Sequence, residues 1–335
     1  RKWWPLAAWA ARPAAASTAT EACGPALAML PGAIEPAGVV LLNAQADGGR
    51  ARTLRRPIEA WLAHNAPGVS LLVPPNTEAA QATLMVLAPC TRVALVGGDG
   101  TLHAMLPALM RNGHRVGLVP AGSGNDVARA IGVAGLRWPE ALAYALHAPT
   151  APIDLGQIEV GADLRYFVSS CSVGFDAAVT ARSLSAPAWL AGRNRYLWAT
   201  LRELVHAAPR ELRIWADGRP VHDGPALLAA MLNTPTYGCG IPAVPTARLN
   251  DHWLDLLLAG DVGRIRALTL LPRLLRGRHM RAAGVSLHSF RKLLIEADQP
   301  LPLAADGETL PSAARLAVQL LPKALHLAGA HMLDT

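Results

Sequence analysis

No apolar run in this chain reaches the roughly 18 residues that a bilayer-spanning helix needs, which excludes a helical membrane span. Its four cysteines, Cys23, Cys90, Cys171 and Cys239, lie far apart and in no paired metal-ligand spacing. That excludes a paired-cysteine metal site and leaves reduced thiols as the expectation. No repeat recurs at solenoid periods, and there is no low-complexity tract. Both common phosphate-loop signatures, G-x-x-x-x-G-K-[ST] and G-x-G-x-x-G, are missing. Lysine is scarce as well: the net charge of +7 is carried almost wholly by arginine.

What remains is a globular composition, 52% hydrophobic and 16% charged over 335 residues, enough for one large domain or two. The 29 glycines and 27 prolines require many turns and argue against a pure helical bundle. A basic surface suits nucleic acid, an anionic membrane or a phosphorylated ligand. The distribution narrows this. Arg264, Arg266, Arg273, Arg276, Arg278 and Arg281 alternate with leucines, the pattern of a membrane-surface segment or of an arginine-rich solvated face. It is not the aromatic-and-basic strip of a single-strand binder, and no nucleic-acid partner is expected. Residues 1–37 are Ala/Pro-rich and read as a truncated leader or a disordered extension whose Trp3, Trp4 and Trp9 could rest at a lipid interface.

From residue 38 the text becomes periodic. GVVLLNA, VSLLVPP, RVALVGG and RVGLVPA read as buried strands separated by helical segments, one of them opened by a Thr77 cap. This predicts a doubly wound parallel-sheet α/β domain over 38–150, with its polar turns on one sheet edge. After residue 150, short strands such as APIDLGQIEV, YFVSSCSVGF (166–175), ELRIWADGRPV, DLLLAGDV and KLLIEAD predict a mostly antiparallel β-sandwich over 151–314, with helices near 187–208 and 264–276. Segment 315–330 is expected to return to the first domain.

Two turns carry chemistry. Gly97-Gly98-Asp99-Gly100-Thr101 follows a strand and opens a helix. Glycines admit a close ligand, Thr101 can donate to a phosphate oxygen, and the helix N-terminus favours an anion. Asp99 would repel phosphate unless Mg²⁺ or a hydroxyl proton intervenes; otherwise it merely caps the helix. One βα unit later, Gly122-Ser123-Gly124-Asn125-Asp126 repeats the theme, with Asn125 a candidate cap and Asp126 reaching toward a cleft. His103 and His114 read as ordinary polar positions.

VGGDGTL followed by VPAGSGNDVARAIG resembles the diacylglycerol kinase catalytic domain family, which includes the sphingosine and ceramide kinases and, more distantly, the NAD kinases. Further similarities follow in order. They are the Asn43, Gly48, Gly49, Arg50 turn; the strand-borne Asp154; the segment Ser172-Val173-Gly174-Phe175-Asp176-Ala177; the stretch from Asn233 to Asp255; Arg276-Gly277-Arg278-His279; and Asp306-Gly307-Glu308. The resemblance implies an NAD kinase-like first domain and a lipid-binding second one. By it, ATP and Mg²⁺ are held by Asn43, Arg50, Gly97, Gly98, Asp99, Gly100, Thr101, Gly122, Ser123 and Asn125. It makes Asp306 the general base, puts Glu308 near the metal, gives Asp126 and Asp154 a supporting charge network, and makes Asp251 a metal ligand. It implies a cytoplasmic enzyme that meets its lipid acceptor at the inner membrane face, and leaves a homodimer open.

The chain also departs from the family. Arg50 and Arg193 stand for lysines, Ala44 for proline and Ser123 for threonine. Asn250 and His252 replace Asp and Gly beside Asp251. The helix after GGDGT lacks the usual Glu and carries Pro107, which could kink or shorten it. Three readings stay open: a lipid kinase, an NAD kinase-like enzyme with a soluble acceptor, and a non-catalytic lipid- or nucleotide-binding relative.

Overall fold

The computed structural model describes residues 38–330 apart from 188 and 191. The expected extension over 1–37, with its tryptophans, lies outside the described residues. The first half alternates strands and helices. In chain order they are β1 (Val39–Leu42), α1 (Arg55–Asn65), β2 (Ser70–Leu72), α2 (Thr77–Val86), β3 (Arg92–Gly97), α3 (Asp99–Arg111), β4 (Arg115–Pro120), α4 (Asp126–Ala130) and α5 (Trp138–His147). A 3-10 segment, Ala46–Leu54, precedes α1. The sheet runs β4-β3-β1-β2, all parallel.

Alternation within each strand explains why these runs are apolar throughout. Val39, Leu41, Val93, Leu95, Val116 and Leu118 face one core with α2 and α3. Val40, Leu42, Ala94, Val96 and Val119 face a second core with Ile58, Leu62 and Leu142 of α1 and α5. A parallel sheet covered on both faces has no polar side to write into its sequence.

The second half comprises β5 (Thr150–Val160), β6 (Asp163–Phe167), β7 (Ser170–Gly174), α6 (Phe175–Leu184), α7 (Gly192–Leu204), β8 (Arg210–Ala216), β9 (Arg219–Ala226), β10 (Leu228–Leu232), β11 (Leu254–Ala259), α8 (Arg264–Leu274), β12 (Val285–Phe290), β13 (Lys292–Ala305) and β14 (Glu308–Ala328). Its pairings are antiparallel, and its strands enclose a core that includes Phe167, Met231, Phe290 and Val318. The long β14 belongs to both halves. It pairs antiparallel with β5 and β13, and its His326 and Leu327 pair parallel with Arg115 and Val116 of β4.

Several local expectations change. Asn76, not Thr77, caps α2, accepting the Ala79 amide at 2.8 Å. Segment 166–175 divides between β6 and β7, and α6 follows directly. Cys171 and Cys239 are free thiols, whereas Cys90 is disulfide-bonded. Pro107 does not shorten α3, which runs through it for 13 residues. The proline ring sits on the exposed side of that helix and removes the amide that would bond the His103 carbonyl. Pro107→Ala should therefore raise stability by about 2 kcal/mol, the helix gain less the lost unfolded-state restriction, as read from chemical denaturation midpoints.

Candidate active site

Three strand ends meet on one edge. After β1, the Asn43 amide donates to the Val96 carbonyl at 3.0 Å, and its side chain donates to Thr101 Oγ at 2.8 Å. The chain then turns through Asp47, Gly48 and Gly49, all at positive φ, where glycine carries no steric penalty. After β3 and β4, the two glycine turns touch. A Cβ on Gly122 would lie 2.4 Å from the Gly98 Cα, and one on Gly98 would lie 2.8 Å from the Gly122 Cα. Only glycine fits at either position.

Asp99 does not cap its own helix. Its Oδ2 accepts the Asp126 amide at 2.8 Å and its Oδ1 the Val127 amide at 3.1 Å, so it caps α4 from the neighbouring turn. Asn125, the expected cap, adopts a left-handed conformation and folds its side chain back onto Gly122, accepting from its amide and donating to its carbonyl. Asp126 faces the second half of the chain. It accepts from Thr236 Oγ at 2.7 Å and from the amides of Cys239 and Gly240 at 3.0 and 2.8 Å.

Asp306-Gly307 forms the two-residue corner of the β13–β14 hairpin, both residues at positive φ. The Asp306 carboxylate accepts the amides of Val168, Ser169 and Ser170 at 2.9, 2.7 and 3.1 Å. Its fourth partner is His103 Nδ1, at 3.1 Å from Oδ2. His103 is thus a site residue that the sequence did not single out. The available signal was its spacing: four residues after Asp99, it lies on the same helix face.

These groups line one cleft of about 700 Å³. Asn43, Asp99, Gly100, Thr101, His103, Ser123 and Asp126 form one wall, and Asp306 and Glu308 lie on it. The lining also includes Asp176, whose carboxylate takes the hydroxyl of Tyr196, together with Leu184 and Arg195. Glu308 stands against Gly100, where a Cβ would come within 2.8 Å of its carboxylate.

Other expected residues stand apart. Gly97 and Asn125 lie just behind the wall, lining a small adjoining hollow. Arg50 is exposed, paired with Asp47 at 3.2 Å, and does not line the cleft. Asp154 is fully buried away from it, holding the amides of His252 and Lys323 at 2.7 and 2.8 Å. Asp251 is also outside, accepting the Trp253 amide at 3.0 Å. His114 is buried on the Leu84 carbonyl at 2.9 Å.

The electrostatics concentrate negative charge. Burial, then the charge of Asp126, pushes the Asp99 carboxyl up to about 7, against the pull of its two amide donors. Burial would lower the His103 imidazole, but its hydrogen bond to Asp306 and the charges of Asp306 and Glu308 prevail and raise it. Burial also raises Asp176, with the hydroxyls of Tyr196, Ser172 and Tyr237 opposing.

Comparison with known proteins matches this architecture. Residues 37–158 match the diacylglycerol kinase catalytic domain, and residues 169–329 match the YegS C-terminal NAD kinase beta sandwich-like domain. A diacylglycerol kinase of Mycobacterium tuberculosis is 31% identical over 231 residues, covering 66% of this chain and 74% of its own. One from Bacillus subtilis is 24% identical over 218 residues, covering 64% and 70%. The crystal structure of a diacylglycerol kinase from Bacillus anthracis shares the fold, with a TM-score of 0.68 at 21% identity over 88% of this chain and 96% of that one. These relatives make the chain a phosphotransferase with an alcohol group as acceptor. The chain belongs to the diacylglycerol kinase family of lipid kinases.

Asp99 and His103 both bind a proton more tightly folded than unfolded. Their stabilisation is full below their unfolded values and is lost as pH rises through the folded ones. The melting temperature should fall as pH rises from about 4 through about 7, the span of the Asp99 shift, with His103 adding to the loss above the ordinary imidazole value. Asp99→Asn should flatten that fall, as measured by calorimetry across the range.

Proposed function

We propose that this enzyme transfers the γ-phosphoryl group of ATP, with Mg²⁺, to the hydroxyl of a diacylglycerol-like lipid at a membrane surface. The observation that carries the reading is the His103–Asp306 pair in a cleft shared with two glycine turns. Phosphoryl transfer needs positioned phosphates, neutralised charge and one proton acceptor on the nucleophile. The turns after β1, β3 and β4 suit the phosphates, offering Asn43, Thr101, Ser123 and exposed backbone amides.

The residues fit a magnesium ion. Burial, and after it the charge of Asp126, lifts the Asp99 carboxyl, and a divalent cation would relieve both. The Glu308 carboxylate stands in the cleft against Gly100, beside the Asp99 turn. No three His, Cys, Asp or Glu side chains among the described residues converge on a closed metal site, which suits an ion that keeps waters and phosphate oxygens. Glu308 and Asp99 would hold it, and bound there it would neutralise phosphate charge.

The Asp306 side chain is 1% exposed and the His103 side chain 15%. His103 therefore stands between Asp306 and the acceptor. With Nδ1 protonated and bonded to Asp306, His103 takes the hydroxyl proton on Nε2, and Asp306 stabilises the resulting imidazolium. Asp306 is thus the carboxylate behind the base. Asp154 and Asp251 act at a distance, supporting the fold around the cleft. The lipid acceptor is favoured over a soluble one by the diacylglycerol kinase relatives.

The test is γ-labelled ATP with a total lipid extract. Labelled lipid is expected from the wild type, with losses of at least about 100-fold in Asp99→Ala and Asp306→Ala. A labelled water-soluble product refutes the lipid acceptor, and equal behaviour of all three proteins refutes the kinase reading. His103→Asn should lower the rate and remove the acidic limb of the pH profile, whose midpoint in the wild type should lie above the ordinary imidazole value.

A further inference from the structure

Helix α8 has no buried side chain over its 11 residues, unlike the other long helices of the fold. It leans on the core through Ala267, Leu270 and Leu274, which are only partly covered. Ile265 (79% exposed) and Leu268 point away from that contact. A helix so placed adds little to folding.

Its neighbour is α7, and the two run antiparallel. Arg264 Nη1 reaches the Val205 carbonyl at 3.3 Å at one end, and Arg193 Nη2 reaches the Leu275 carbonyl at 3.5 Å at the other. Val205 and Ile265 therefore share one end of the pair. Leu201 and Leu268 lie one turn along, all four exposed. Segment 264–281 carries six arginines and no Asp or Glu. Among the described residues none of the six pairs with a carboxylate. Those with bonded side chains, Arg264, Arg266 and Arg276, donate to backbone carbonyls. The one acid of α7, Glu203, is already paired with Arg182.

Helix α7 runs from this patch to the cleft. Leu184 at the end of α6, and Gly192 and Arg195 at the start of α7, line it. The connection between these helices carries Trp189, 81% exposed. Indole at an interface beside an aliphatic and arginine-rich face is the chemistry of a lipid headgroup layer.

We propose that α7, α8 and Trp189 form the face by which the protein docks on an anionic lipid bilayer, with the acceptor entering the cleft past Leu184 and Arg195. The inference rests on the lipid-acceptor reading for its purpose and on the exposed face for its chemistry. Aliphatic side chains and Trp189 enter the headgroup boundary, and the arginines bind the anionic surface. Docked so, the cleft mouth faces the leaflet, and an acceptor lipid reaches the phosphoryl donor without crossing water.

The test is co-sedimentation of the full chain with phosphatidylcholine vesicles, with and without phosphatidylglycerol, beside phosphotransfer to a short-chain, water-dispersed diacylglycerol. Binding should require phosphatidylglycerol and weaken with salt. Arg273→Gln with Arg281→Gln should weaken it by about fivefold per residue removed. Ile265→Ser with Leu268→Ser should weaken it at least tenfold. Both double variants should keep the wild-type melting temperature and activity on the dispersed acceptor. Equal binding to both vesicle types, or wild-type binding by both variants, overturns the docking face. So does a concentration-dependent dimer that the serine variant abolishes. Loss of phosphotransfer to every acceptor by the wild type refutes the kinase reading alone, because vesicle binding is scored without turnover.

Discussion

The Asp99 carboxylate and the two amides it receives from α4 hold the cleft together. A buried carboxylate is costly unless its oxygens are satisfied, and here they are satisfied by backbone from a turn 27 residues away. That bond fixes the first glycine turn against the second, at a distance only Gly98 and Gly122 allow. With its own amide held by Asp99, Asp126 turns its carboxylate to Thr236, Cys239 and Gly240. The ends of β3 and β4 and the second half of the chain are thus tied in series by acids gripping amides. The cost is burial of a carboxyl beside a second one, visible as the raised Asp99 carboxyl. A site that must take up a cation with its phosphates can use that cost, since the cation's arrival relieves it.

The parallel sheet was legible because covering both faces of a strand leaves an unbroken apolar run, and four such runs alternate with helices here. Helix α6 was not legible: Phe175–Leu184 follows β7 without a turn residue beyond Gly174, so its start reads as more strand. The site was legible as far as its turns. The side chains of Asp99, Asp126 and Asp306 do reach one cleft, but their partners are amides, which a sequence does not spell. His103 was missed for the same reason, since its importance comes from Asp306, 203 residues away.

Two Asp-Gly corners show the limit within a single chain. Asp217-Gly218 and Asp306-Gly307 both join paired strands through two residues at positive φ. Both acids accept amides of an adjoining segment: Asp217 those of Arg291 and Lys292, Asp306 those of Val168, Ser169 and Ser170. By local sequence and backbone they are the same device. Asp217 has only strand edges beside it, whereas Asp306 has an imidazole and a cleft. Function here is an address in the fold, given to an ordinary hairpin corner.

Anchoring acids by backbone also explains how the chain tolerates its departures from the family. His252 stands where glycine is usual and keeps a glycine-like φ of 64°. A side chain there costs about 1 kcal/mol or more. Both its amide and its Nδ1 bond Asp154, at 2.7 and 3.1 Å, which offsets that strain. Arg50 replaces a lysine but pairs outward with Asp47, leaving the turn to be shaped by Gly48 and Gly49. The helix after the first glycine turn lacks the family's usual glutamate, yet its His103 reaches Asp306. Apart from the one bond of the His252 ring, backbone amides position these carboxylates. Side chains around the cleft can therefore vary while its acids stay in place.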